Sequence, residues 1–162
     1  MLEENKIVIL IAEIKKELDK LDQLIKKLEL QKNIGPENEV VIESTALKIH
    51  NFYTGCERIF KMIASDLNGF VPDSFDWHHR LLSQMSATVE GIRPAVISEK
   101  TQKGLIELLA FRHVVRSVYG YELDAKRIEL LVKLALDVYP SAKKELERFC
   151  NFLDDLQKKV TI

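Results

Sequence analysis

Apolar residues recur at alternating spacings of four and three through most of the first seventy positions, and that period allows little besides long helices. Ile7, Ile11, Ile14, Leu18, Leu21, Ile25 and Leu28 keep the spacing, with Lys, Glu and Asp on the other positions. On a helix of about 3.6 residues per turn these positions form one stripe. They predict an amphipathic helix over 1–32. Asn33-Ile-Gly-Pro-Glu-Asn38 breaks it, because Gly and Pro continue a helix only at a cost. Ile42, Ala46, Ile49, Tyr53, Cys56, Phe60, Ile63 and Leu67 then repeat the device and predict a second helix over 40–67. Two seams of similar length joined by a short loop predict an antiparallel helical hairpin. The first seam serves either the core of a bundle or, alternatively, a coiled-coil arm between two chains.

Asn68–Asp76 reads as a loop. A third helix is expected over 77–90, ending near Gly91, and Arg93-Pro94 delays the next. Ser98 is the expected N-cap of a fourth helix over 99–119. Asp124 and Pro140 are expected to open a fifth over 124–138 and a sixth over 140–157. No period-two run reads as a strand. The fold class is therefore all-α, a helical bundle with a long N-terminal hairpin, and 162 residues suggest a single domain, 1–162. The formal net charge is −1. No global basic field draws in nucleic acid, so RNA binding would need a local patch, one that dimerisation could double. Cys56 and Cys150 stand in no close-spaced pattern and read as buried reduced thiols. No apolar run approaches the roughly 18–20 residues of a membrane span, and the N-terminus lacks a signal-peptide pattern. The expectation is a cytoplasmic protein with no membrane association.

Chemistry concentrates in Phe111-Arg-His-Val-Val-Arg-Ser-Val-Tyr-Gly-Tyr-Glu-Leu-Asp124. Leu105, Leu109, Arg112, Arg116 and Tyr119 follow one helical stripe that begins apolar and ends in two guanidinium groups and a phenol. The neighbouring stripe of Leu108, Phe111, Val115 and Val118 stays apolar and should face the core. Arginines that continue a packing stripe need carboxylates, or they bind phosphate, which their bidentate fork suits. The plainer reading is a pair of arginines snorkelling at the surface or paired with Glu on a neighbour.

The same stretch resembles the Arg-x4–6-His-x-Tyr motif of the HEPN superfamily, in particular the HepT-like toxins of HepT/MNT toxin–antitoxin systems. The motif's Arg falls on Arg112 and its Tyr on Tyr119. Trp77-His-His-Arg-Leu-Leu82, Ile92–Ser98 and Tyr119–Asp124 also resemble the family, which extends the likeness over 40–157, with helix 1–32 a compatible addition. The resemblance implies a HEPN-type helical bundle and a homodimer in which two motif helices meet at one cleft. It further implies metal-independent ribonuclease activity: the ribose 2′-OH attacks the adjacent phosphate, Arg stabilises the developing charge and His handles protons. It implies neutralisation by an MNT-type nucleotidyltransferase antitoxin through AMPylation of Tyr119, whose added charge and bulk would block RNA.

One position departs from the motif. Ser117 stands where the histidine is expected, and a hydroxyl does not titrate near neutral pH as imidazole does. Losing a general acid or base typically costs roughly 10²–10⁴-fold in rate, so an impaired ribonuclease is expected. The alternative is a non-catalytic HEPN-fold module that partners a nucleotidyltransferase. His113, one turn before Ser117, is an auxiliary candidate beside Arg116, although a structural histidine there is the plainer reading. His78 and His79 point about 100° apart and make a poor metal pair, and His50 has no companion at ligand spacing, so no metal and no cofactor is expected. Trp77 suits base stacking, or more plainly a core or interface anchor.

Overall fold

The N-terminal seam closes on helices of the same chain. The computed structural model describes residues 2–32, 38–117 and 124–160, and of 2–4, 113–117 and 160 the backbone alone. The described helices are α1 (Leu2–Leu30), α2 (Glu39–Ile63), α3 (Trp77–Met85), α4 (Glu99–Ser117) and α5 (Ala125–Val160), and a π-helical turn, Ala64–Asn68, continues α2. No strand occurs among the described residues; one isolated bridge joins Val89 and Arg93. The bundle is all-α, as the periodicity predicts.

Leu10, Ile14, Leu18, Leu21 and Leu28 are buried, with Ile7, Ile11 and Ile25 packed at their edge. The stripe of α1 therefore lies against α2 and α5. The coiled-coil arm loses its main support, since the residues that would form it are spent in the core. Helix α2 is central and touches all four other helices. Its predicted stripe is buried from Ile42 to Ile63, and Phe52 and Ile59 widen it. Two glycines set the helix spacing. A Cβ on Gly55 would stand 2.7 Å from Leu21 Cδ2, and one on Gly104 would stand 2.3 Å from Val138 Cγ2. Helices α2 and α4 approach α1 and α5 closely there because no side chain intervenes.

Helix starts follow the expected chemistry. The Asn38 side chain accepts from Val41 N at 3.1 Å, Ser98 Oγ from Thr101 N at 3.2 Å, and Asp124 Oδ1 from Lys126 N at 3.0 Å. Glu145 adds a carboxylate to the start of α4, 2.5 Å from Ser98 N and 2.8 Å from Thr101 Oγ1, which ties α5 to α4.

Two expectations are corrected. Residues 124–138 and 140–157 are not separate helices: α5 runs through Pro140 without a break. Pro140 is exposed while Val138, Tyr139 and Ala142 are buried, so the backbone position that loses its amide faces solvent. One apolar stripe, from Ile128 to Leu153, continues on both sides. Tyr139 Oη donates to Asp22 and lies 3.2 Å from Leu18 O, and Lys143 Nζ reaches Asp22 Oδ2 at 3.0 Å. These contacts and the buried stripe hold the proline turn against α1, in opposition to the roughly 3 kcal/mol a proline costs inside a helix. The third helix, expected to reach 90, stops at Met85. Buried Arg93 donates to Gln84 O at 2.9 Å and Ala87 O at 3.0 Å, claiming backbone carbonyls at the helix end.

Candidate active site

Three helices converge on Arg112. It enters from α4, just beyond buried Leu108, Leu109 and Phe111. Helix α3 contributes His78 and α2 contributes Tyr53 and Glu57. Tyr53 Oη donates to Glu57 Oε2 at 2.9 Å. His78 Nδ1 lies 2.5 Å from the same oxygen. Arg112 Nη1 lies 2.7 Å from His78 Nε2 and 3.5 Å from Nδ1. An approach to 3.5 Å of Nδ1 as well as 2.7 Å of Nε2 puts the guanidinium to the side of the imidazole, off the axis of the Nε2 lone pair. Trp77 packs on His78 with ring centroids 3.6 Å apart, and Lys61 Nζ sits 4.1 Å from the Trp77 ring centre.

The protonation pattern follows from these neighbours. Burial disfavours the imidazolium, and the positive charges of Arg112 and Lys61 add to that; the hydrogen bond and charge of Glu57 oppose it, but the His78 pKa still falls below its ordinary 6.5. His78 is therefore neutral at pH 7. Its Nδ1–H donates to Glu57, and its lone pair lies on Nε2. Burial, reinforced by the Glu57 charge and hydrogen bond, raises the Tyr53 phenol, which stays a proton donor.

Arg112 differs in kind from Arg93. Arg93 is 3% exposed, and its guanidinium spends its donors on Asn68 Oδ1 and three backbone carbonyls, which is a structural role. Arg112 keeps a buried Nε with no acceptor among the described residues. Its near neighbour Glu57 is engaged by Tyr53 and His78. The guanidinium is thus held in place without a direct carboxylate partner among the described residues, and its planar fork suits an anion.

The remaining sequence candidates fall at or beyond the end of α4. Ser117 is the last residue of that helix. Its side chain and those of His113 and Arg116 lie outside the described residues, as does Tyr119 entirely. Glu57 and His78 are the site residues the sequence reading missed. The available signal was a carboxylate one helical turn after Tyr53 on an otherwise apolar face. Among the described residues, no three His, Cys, Asp or Glu side chains gather in a metal-binding group. No described helix is long and apolar enough to cross a membrane. A groove of about 810 Å³ between the end of α1 and the start of α5 is lined by Lys32, Lys126, Lys133, Glu29, Glu129 and Asp137 among others. Its balanced charges give no field for phosphate, and it does not include the Arg112 cluster.

A family model described as HepT-like protein matches residues 44–153. With most of the chain covered, the protein belongs to this HepT-like family of the HEPN superfamily. The match covers α2 from residue 44, all of α3 and α4, and so Glu57, His78 and Arg112, and reaches far into α5. No curated protein matches the chain.

Proposed function

We propose that this protein is a homodimeric, metal-independent endoribonuclease toxin of reduced rate. Arg112 serves as the phosphate clamp, and Tyr119 is the residue to which a nucleotidyltransferase antitoxin transfers AMP. The observation that carries the reading is the state of Arg112: a half-buried guanidinium at the motif position, with an Nε lacking an acceptor among the described residues and an imidazole beside Nη1. Such a group stabilises charge that develops on a phosphate during 2′-OH attack, an effect worth about 10²–10³-fold per donor. Two motif helices meeting in a dimer would double the positive charge that a chain of net charge −1 otherwise lacks. Metal independence and the antitoxin rest on the family likeness.

Expression in bacteria tests this. The chain slows growth, Arg112→Ala relieves the effect, and co-expression with the neighbouring nucleotidyltransferase adds mass in multiples of AMP on Tyr119. Undiminished toxicity of Arg112→Ala would remove the clamp from the account. Ser117 favours the second reading, a non-catalytic partner of the nucleotidyltransferase. That reading predicts AMP transfer to Tyr119 but no RNA cleavage.

A further inference from the structure

We infer that His78, on a different helix from the motif, is the proton-handling group of this chain. The inference rests on the ribonuclease reading and supplies what Ser117 lacks. The geometry is that of an oriented base. Glu57 Oε2, 2.5 Å from Nδ1, fixes the ring and its tautomer. Tyr53 holds that carboxylate from behind. Nε2 carries the lone pair, and the phosphate-binding candidate Arg112 lies 2.7 Å from it. A carboxylate that orients an imidazole and supports the charge it gains is a recurring arrangement for general bases. The His78 side chain is 14% exposed, so the ring is not sealed from solvent.

The step balances without a further reactant. Arg112 turns its donors to the phosphate. Nε2 takes the proton of the 2′-OH, the O2′–P bond forms and the P–O5′ bond breaks. The proton passes from the imidazolium through water to the leaving 5′ oxygen, leaving a 2′,3′-cyclic phosphate and a 5′-hydroxyl. The groups that set the proton affinity of His78 are Tyr53, Glu57 and Lys61 from α2 and Arg112 from α4. The first three remain when RNA binds, while the phosphate offsets the fourth.

The test compares cleavage of single-stranded RNA in chelator by the unchanged chain, His78→Gln, Glu57→Gln, Ser117→His and the double variant His78→Gln/Ser117→His. Gln keeps a polar side chain between Glu57 and Arg112 but cannot titrate. His78→Gln should lower the rate of the unchanged chain at least tenfold and abolish the acidic limb of its pH profile. With Ser117→His the same change should cost less than threefold. Glu57→Gln, which leaves the imidazole in place, should move the acidic limb to lower pH, a readout that loss of packing would not produce and that stands if His78→Gln fails to fold. Equal cleavage by His78→Gln and the unchanged chain, or an acidic limb that Glu57→Gln does not move, overturns the inference. If Ser117→His cleaves and the unchanged chain does not, His78 is ruled out while the ribonuclease reading stands. If neither cleaves, the ribonuclease reading falls, and the inference with it.

Discussion

A histidine wedged between a carboxylate and a guanidinium has a proton affinity set by three competing effects, and here burial decides. His78 is held below its ordinary pKa of 6.5. Above 6.5 it is neutral in the folded and unfolded chain alike. As the pH falls below 6.5 the unfolded chain takes up the proton first, so the contribution of His78 to folding is lost as pH drops toward the depressed folded value. Arg112→Gln removes a nearby positive charge and should raise the His78 midpoint. NMR titration of the His78 ring checks this, and an unchanged or lower midpoint would show that the two groups are not coupled. Of the site, Arg112 was legible in the sequence because a charge on an apolar stripe is visible in one dimension. His78 and Glu57 were not, because 21 residues separate them and only tertiary packing makes them neighbours. The sequence likewise marks Ser117 as a position where the motif expects an imidazole, without indicating where another one stands.

At the scale of helices, close approach is set by what is absent from a side chain. Gly104→Ala gains roughly 1 kcal/mol of helix propensity but puts a Cβ 2.3 Å from Val138 Cγ2. Valine has few rotamers with which to yield, and overpacking costs about 1–3 kcal/mol, so the clash outweighs the gain. The expected result is a melting temperature lower by roughly 2–4 °C, restored in part by Val138→Ala. A stabilised Gly104→Ala would mean that α4 and α5 separate more easily than their packing implies. Helix starts at Ser98 and Asp124 were readable because capping is local. The two misread elements were decided from a distance: Pro140 is carried through by contacts from Tyr139 and Lys143 to α1, and α3 is ended by Arg93, eight residues beyond Met85.

Over the whole molecule, the four-three period of α1 and α2 was enough to predict an all-α bundle, because neither stripe can be left in water. What the period could not assign was the cover, and α5 supplies it along α1. The bundle's centre, α2, carries three of the four largest fully buried side chains, Phe52, Tyr53 and Phe60, and the Glu57 that steadies the site, so folding and site assembly depend on one helix. The central claim is that this scaffold presents Arg112 to an RNA phosphate and is slowed by Ser117. The direct measurement is the rate of RNA cleavage in chelator by Ser117→His, with and without Arg112→Ala. The account predicts that Ser117→His cleaves at least about tenfold faster than the unchanged chain and that adding Arg112→Ala removes about 10²-fold or more of that rate. A Ser117→His protein no faster than the unchanged chain, or one indifferent to Arg112→Ala, would contradict it.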